Sequence, residues 1–156
     1  MQPRVCGCWL AASVTVALGG APAAAQSAAD TAEVAAAVAG VIGDSVVARL
    51  RARDRPFLGE PTTRFDRWVT RRLQETHQLD LLESGADTAD WVVTRGFAVG
   101  GDSASVIVEV GTRTKPREGI DTYIETHRYL FVRTREGWRY VRRVFVSGAD
   151  LGAVRG

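Results

Sequence analysis

The sequence predicts an α+β domain in which N-terminal helices pack on one face of an antiparallel sheet of four strands or more. Apolar residues recur every three to four positions before residue 78 and every second position after residue 89. The period therefore changes from that of a helix to that of a strand. Short turns such as 100–102 separate the strand-like segments, and short turns join antiparallel neighbours. Helices grouped before strands favour helices on one face of the sheet.

The first predicted helix begins at Asp30, a good N-cap, with Glu33 three residues later as in a capping box. Its apolar face consists of Val34, Val38, Val41, Ile42, Val46 and Leu50. Gly40 and Gly43 indicate a bend or a close contact with the sheet. The helix ends in Arg49, Arg51, Arg53 and Arg55, which we interpret as a solvated end that suits the helix dipole. The alternative is an anion-binding patch.

A second helix is expected from the cap Thr62 or Thr63 to His77, which we interpret as a C-terminal cap. The strands are predicted over 91–99, 104–114, 121–133 and 138–146. The last residues, 148–156, are predicted to form a flexible tail.

Residues 1–25 have the features of a secretory signal peptide. Arg4 precedes an apolar stretch from Val5 to Leu18, and small residues end at Ala25, after which we predict cleavage. The alternative, an uncleaved anchor, is disfavoured because the apolar stretch is short for a membrane span. Cleavage would remove both cysteines and leave one domain over 26–147, periplasmic or secreted and without a membrane segment.

The net charge and the number of histidines and cysteines argue against nucleic-acid binding and against a metal site. The formal net charge is only +2, so nucleic-acid binding is not expected. The two histidines have no metal-ligand spacing, and both cysteines lie in the predicted signal peptide, so we predict no metal and no cofactor.

The element order and the closing hairpin resemble the NTF2-like superfamily, which includes SnoaL-type cyclases and ketosteroid isomerase-type domains. The hairpin has Tyr129 to Arg133, then Glu136-Gly137-Trp138-Arg139, then an apolar strand to Val146. The resemblance implies a cone-shaped, curved sheet around a helix, an open-ended apolar pocket and, in many members, a dimer. Members include isomerases, dehydratases, cyclases and non-catalytic binding domains. The Tyr and two-Asp set of the isomerases has no match in this chain.

Arg95 is the most unusual position of the predicted strands. It alternates with Trp91, Val93 and Phe97 on a stripe that is expected to face the core. A buried arginine needs a partner, so Arg95 could anchor an anion or a carbonyl in a pocket beside Trp91. The alternative is an arginine at the sheet edge with its guanidinium in water.

A second candidate group lies on the third predicted strand, where Tyr123, Glu125, His127 and Tyr129 share one face. Glu125 and His127 could form a general acid/base pair, and a tyrosine hydroxyl could stabilise an oxyanion. Alternatively, this stripe faces solvent or a dimer partner.

Two hypotheses follow. In the first, an exported, non-catalytic domain binds a small apolar ligand or a protein partner, including a second copy through the sheet. In the second, a cofactor-independent isomerase or dehydratase uses His127 and Glu125 as the acid/base pair and Arg95 or a tyrosine as the anchor. The second requires Arg95, Glu125 and His127 to converge on one cavity.

Overall fold

The computed structural model describes residues 28–83, 86–115 and 121–151. These residues form an α+β fold with an N-terminal helix and an open, mixed sheet of five strands in the order β1-β2-β3-β4-β5. The predicted α+β class is therefore confirmed. The predicted signal peptide, 1–25, lies outside the described residues, as do 152–156 of the predicted tail.

The helices and strands have the following bounds. The N-terminal helix is continuous and consists of α1 (Ala28–Val41), a π-helical segment (Ile42–Val47) and α2 (Ala48–Arg51). The other helix is α3 (Arg64–His77). The strands are β1 (Phe57–Leu58), β2 (Ala89–Gly100), β3 (Ser103–Thr114), β4 (Asp121–Thr134) and β5 (Gly137–Asp150).

The N-terminal helix buries the predicted apolar face. Val34, Val38, Ile42, Val46 and Leu50 are all buried in one core cluster. By length and composition alone, its part Thr31–Arg51 is long and apolar enough to cross a membrane. The core helix of a soluble protein and a signal sequence pass the same test. Asp30 lies within the described helix, so the prediction of Asp30 as its cap was wrong.

The π-helical segment meets α3 at Gly43. An ideal Cβ built on Gly43 would lie 2.0 Å from Nε2 of His77. The close contact that the sequence indicated is thus to a helix and not to the sheet, and a larger residue fits at position 43 only if the His77 ring moves.

The start of α3 is fixed by a capping box at Thr63, one of the two caps that the sequence predicted. The Thr63 side chain accepts a hydrogen bond from the Asp66 backbone at 3.1 Å, and the Thr63 backbone donates to the Asp66 carboxylate at 2.8 Å. The helix ends at His77, as predicted, but its C-cap is Gln78 in the left-handed conformation, so the interpretation of His77 as the cap was wrong.

Strands β2 to β5 form the predicted antiparallel meander, and β1 adds a short parallel strand beside β2. The last strand, β5, continues to Asp150. The prediction that a tail begins at 148 was therefore wrong for 148–150, because these residues pair with the start of β4.

The sheet has two distinct faces. The inner face carries Val106, Val108 and Val110 of β3, which are buried with the helices in the core. Their partners on β4 are Tyr129, His127 and Glu125, which consequently lie on the inner face too. The outer face carries the alternate residues, such as Glu109 on β3 and Thr126 on β4.

Candidate functional site

An open cleft of about 300 Å³ lies between the end of the N-terminal helix and the inner faces of β3 and β4. Its lining residues come from the three elements, and they are Arg49, Leu50, Arg53, Val110, Thr112, Tyr123 and Glu125. Leu50 and Val110, which are 2 % and 6 % exposed, form the apolar floor of the cleft, and the other side chains provide charge and hydrogen-bonding groups. The cleft therefore combines an apolar surface with polar groups, as small-molecule sites do.

Glu125, which lines the cleft, contacts a buried histidine. The Nε2 atom of His127 lies 3.1 Å from Oε2 of Glu125, and the side chains are 7 % and 36 % exposed respectively. An ionised carboxylate only accepts hydrogen bonds, so Nε2 carries the hydrogen. Nδ1 of His127 is buried and has no hydrogen-bond partner within the described part of the chain.

An aromatic ring of β5 lies beside this pair. Phe145 pairs with His127 across the strands, and the two rings meet edge to face with centroids 5.6 Å apart. Phe145 is 59 % exposed, so one side of the buried imidazole is covered by a side chain that itself faces solvent. Glu125 thus fixes the orientation of a ring whose other nitrogen, Nδ1, is enclosed by the protein.

Of the predicted stripe on β4, the structure brings Tyr123 and Glu125 into the cleft, and His127 adjoins Glu125. Tyr129 lies on the same face but is only 2 % exposed and belongs to the core, beside Tyr140. Tyr129 is thus placed away from the cleft lining, and its buried hydroxyl has no partner among the described residues. Tyr123 fits against β5, where a Cβ on Gly148 would lie 2.5 Å from the tyrosine hydroxyl.

The prediction that Arg95 shares a core-facing stripe with Trp91, Val93 and Phe97 was wrong. The pairing of β2 with β3 shifts register between Thr94 and Gly96, which makes Arg95 the extra residue of a β-bulge. Trp91 and Val93, before the bulge, therefore lie on the outer face, whereas Phe97, after it, lies on the inner face.

Arg95 is instead bound on the outer face. Its Nε donates to Oε2 of Glu109 at 2.8 Å, and its guanidinium also donates to the Glu60 carbonyl at 2.9 Å. Trp91 also lies on the outer face, directly over Gly111 and near the Arg113 guanidinium. The requirement that Arg95 converge with Glu125 and His127 on one cavity is consequently not met.

The helix-end arginines, which were interpreted as a solvated end, divide into two pairs. Arg51 donates to the His77 carbonyl at the end of α3, and Arg55 pairs with Asp80. Arg49 and Arg53 line the cleft, and neither has an ion-pair partner among the described residues. Arg49 lies in α2 and Arg53 in the turn after it, and both belong to the arginine run for which the sequence left an anion-binding patch as the alternative.

No family model, curated protein or solved structure matches this chain. In the part of the chain that the structure describes, no group of three or more His, Cys, Asp or Glu side chains could hold a metal ion. The candidate site is therefore defined by its own geometry.

Proposed function

We propose that this protein binds a small ligand with an apolar body and an anionic group in the cleft at the end of the N-terminal helix. The observation that carries the proposal is the position of Arg49 and Arg53, unpaired within the described chain, beside the apolar surface of Leu50 and Val110. Arginines bind carboxylates and phosphates through several donors at once. A volume of about 300 Å³ corresponds to about ten water molecules, which suits a compact organic acid.

The polar groups of β3 and β4 in the cleft determine which further contacts such a ligand can make. Oε2 of Glu125 already accepts a hydrogen bond from His127, so the arginines, and not this carboxylate, are the groups that meet the anionic end of the ligand. The Tyr123 hydroxyl can donate to the ligand, and Thr112 offers a further hydroxyl at the cleft.

The test uses two ligands that differ in one group, octanoate and 1-octanol. Octanoate is expected to shift the NMR signals of Leu50 and Val110 at lower concentration than octanol. The double variant Arg49→Gln/Arg53→Gln should reduce the affinity for octanoate to that for octanol, and Arg67→Gln, an exposed arginine of α3, should not. If neither compound shifts the cleft signals, the proposal is wrong.

The proposed architecture is an NTF2-like cone, supported by the order of two helices and a strand meander and by the cleft between helix and sheet. The proposed location is the periplasm or the outside of the cell, supported by the pattern of residues 1–25. Mass spectrometry of the expressed protein should find an N-terminus at Gln26. An intact Met1 in protein recovered from the membrane would contradict export by cleavage.

A further inference from the structure

Strand β5 contributes no residue to the cleft lining, and among the described strands it has a long unpaired edge. It is 14 residues long and pairs only with β4, so its other edge carries backbone N–H and C=O groups without a strand partner in the described sheet. Every residue from Arg139 to Asp150 is exposed. Long, exposed edges are normally shortened, charged or covered, because they can pair with other chains.

The exposed side chains of β5 are strongly apolar. Among the described residues, most of the large apolar side chains that face solvent belong to this strand, namely Tyr140, Val141, Val144, Phe145 and Val146. Contiguous exposed apolar surface of this kind marks interaction sites in soluble proteins.

Three arginines interrupt this apolar surface. Arg139, Arg142 and Arg143 are exposed, and none has an ion-pair partner among the described residues. Arg142 pairs with Leu130 and Arg143 with Tyr129, so the two adjacent arginines lie on opposite faces of the sheet. A partner at this edge therefore meets positive charge on both faces.

The bulges of β5 define the part of the edge that a partner can use. Val146 and Val141 are extra residues where the pairing of β4 with β5 shifts register. Between them, Arg142 to Phe145 pair regularly with β4. The regular stretch is thus short, and both arginines lie within it.

We propose that β5 is the docking site for an extended acidic segment of another protein, which adds as a further strand beside Arg142–Phe145. Its backbone would satisfy the free edge of β5, and two consecutive carboxylates, one on each face, would pair with Arg142 and Arg143. Apolar residues flanking the carboxylates would cover Val144 and Phe145.

A second copy of this chain fits the same edge less well. Two β5 strands paired antiparallel around this stretch would bring Arg142 and Arg143 of each copy close together, and like charges on neighbouring strands are destabilising. The bulges at Val141 and Val146 also interrupt a long, symmetric pairing. The charge of the strand therefore selects an acidic partner over itself.

The experiment measures the fluorescence anisotropy of a labelled peptide of sequence VEEVVEEV, whose adjacent glutamates face opposite sides of an extended strand. Two control peptides have glutamine in place of glutamate, or N-methyl groups at alternate residues that block backbone pairing. We expect the acidic peptide to bind at least about tenfold more tightly than either control, since one removes the charge pairs and the other the strand pairing.

The protein variants test the location. Arg142→Glu/Arg143→Glu should abolish peptide binding, whereas Arg67→Glu/Arg72→Glu, an equal change of charge on exposed positions of α3, should not. If the charge reversal unfolds the protein, Arg142→Gln/Arg143→Gln should still weaken binding in a circular-dichroism-verified fold. Equal binding of all three peptides, or no binding of any, would overturn the proposal. A dimer in sedimentation experiments that the arginine variants alter would overturn it in favour of a second copy.

Discussion

At the scale of single residues, Asp66 is the best-connected carboxylate among the described residues. It is fully buried, and its oxygens accept hydrogen bonds from Thr62 at 3.0 Å, from the Thr63 backbone at 2.8 Å and from Thr94 at 2.8 Å. Burial alone raises the pKa of this carboxyl, but the hydrogen bonds outweigh it and hold the pKa below the ordinary value of 3.8. Asp66 thereby joins the start of α3 to β2.

This environment makes a prediction about pH. Because the pKa of Asp66 is lower in the folded than in the unfolded protein, its ionised form stabilises the fold above pH 3.8, and the contribution is lost as the pH falls through the folded-state value. Asp66→Asn should lower the free energy of unfolding at pH 7 by about 1–3 kcal/mol. Urea unfolding at pH 7 and at pH 3 measures the difference from the wild type, which should shrink at pH 3.

The matched control is Asp102→Asn, at an exposed position of the turn between β2 and β3. This variant should change the free energy of unfolding by less than about 0.5 kcal/mol at pH 7. A loss in Asp66→Asn that is equally large at both pH values would show that packing, and not the charge, accounts for its contribution.

At the scale of elements, the contact of the π-helical segment with α3 is a tight packing point. A Cβ on Gly43 would overlap the ring of His77, whose backbone carbonyl accepts from Arg51. We expect Gly43→Ala to destabilise the fold by about 1–3 kcal/mol in urea unfolding, in spite of the better helix propensity of alanine. Gly40→Ala is the control, because nothing lies within 4 Å of a Cβ there. A Gly43→Ala protein as stable as that control would contradict the packing.

The contact of β4 with β5 makes a prediction about the cleft. A Cβ on Gly148 would displace the Tyr123 hydroxyl, and the side chain can move because it is the free end of a flexible group. Gly148→Ala should therefore weaken octanoate binding severalfold while changing the free energy of unfolding by less than about 1 kcal/mol. NMR titration and urea unfolding measure the two quantities.

Gly100→Ala, where a Cβ meets no atom within 4 Å, should leave octanoate binding unchanged. Unaltered binding by Gly148→Ala, with the Tyr123 signals shifted, would show that the position of Tyr123 does not matter to the ligand.

The elements also explain which features the sequence could predict. Helix α3 and strand β3 each bury one face, so local periodicity was enough to find them. The sheet face on which Arg95 lies could not be predicted from periodicity, because the bulge depends on how β2 pairs with β3. Glu125 and His127 could be paired because a strand repeats every two residues. Arg49 and Arg53 could not be joined to them, because their proximity comes from packing a helix end against distant strands.

At the scale of the whole molecule, helix and sheet share one core. Val38 of α1 is fully buried and belongs to the same cluster as Val106 and Val108 of β3. Neither layer has a separate apolar core among the described residues, so we expect helix and sheet to unfold together. Urea unfolding followed by circular dichroism at 222 nm, which reports helix, and by tryptophan fluorescence should give coincident transitions.

The variant Val38→Ala tests this coupling, since it removes two buried carbons from the helix alone. It should lower the free energy of unfolding by about 2 kcal/mol and move both transitions by the same amount. Glu33→Ala, at an exposed position of the same helix, should move neither by more than about 0.5 kcal/mol. If Val38→Ala shifts only the circular dichroism, the helix folds as a separate unit. The cleft would then lie between two independently moving parts, and a site that needs Arg49 of the helix beside Val110 of the sheet could not be held in place.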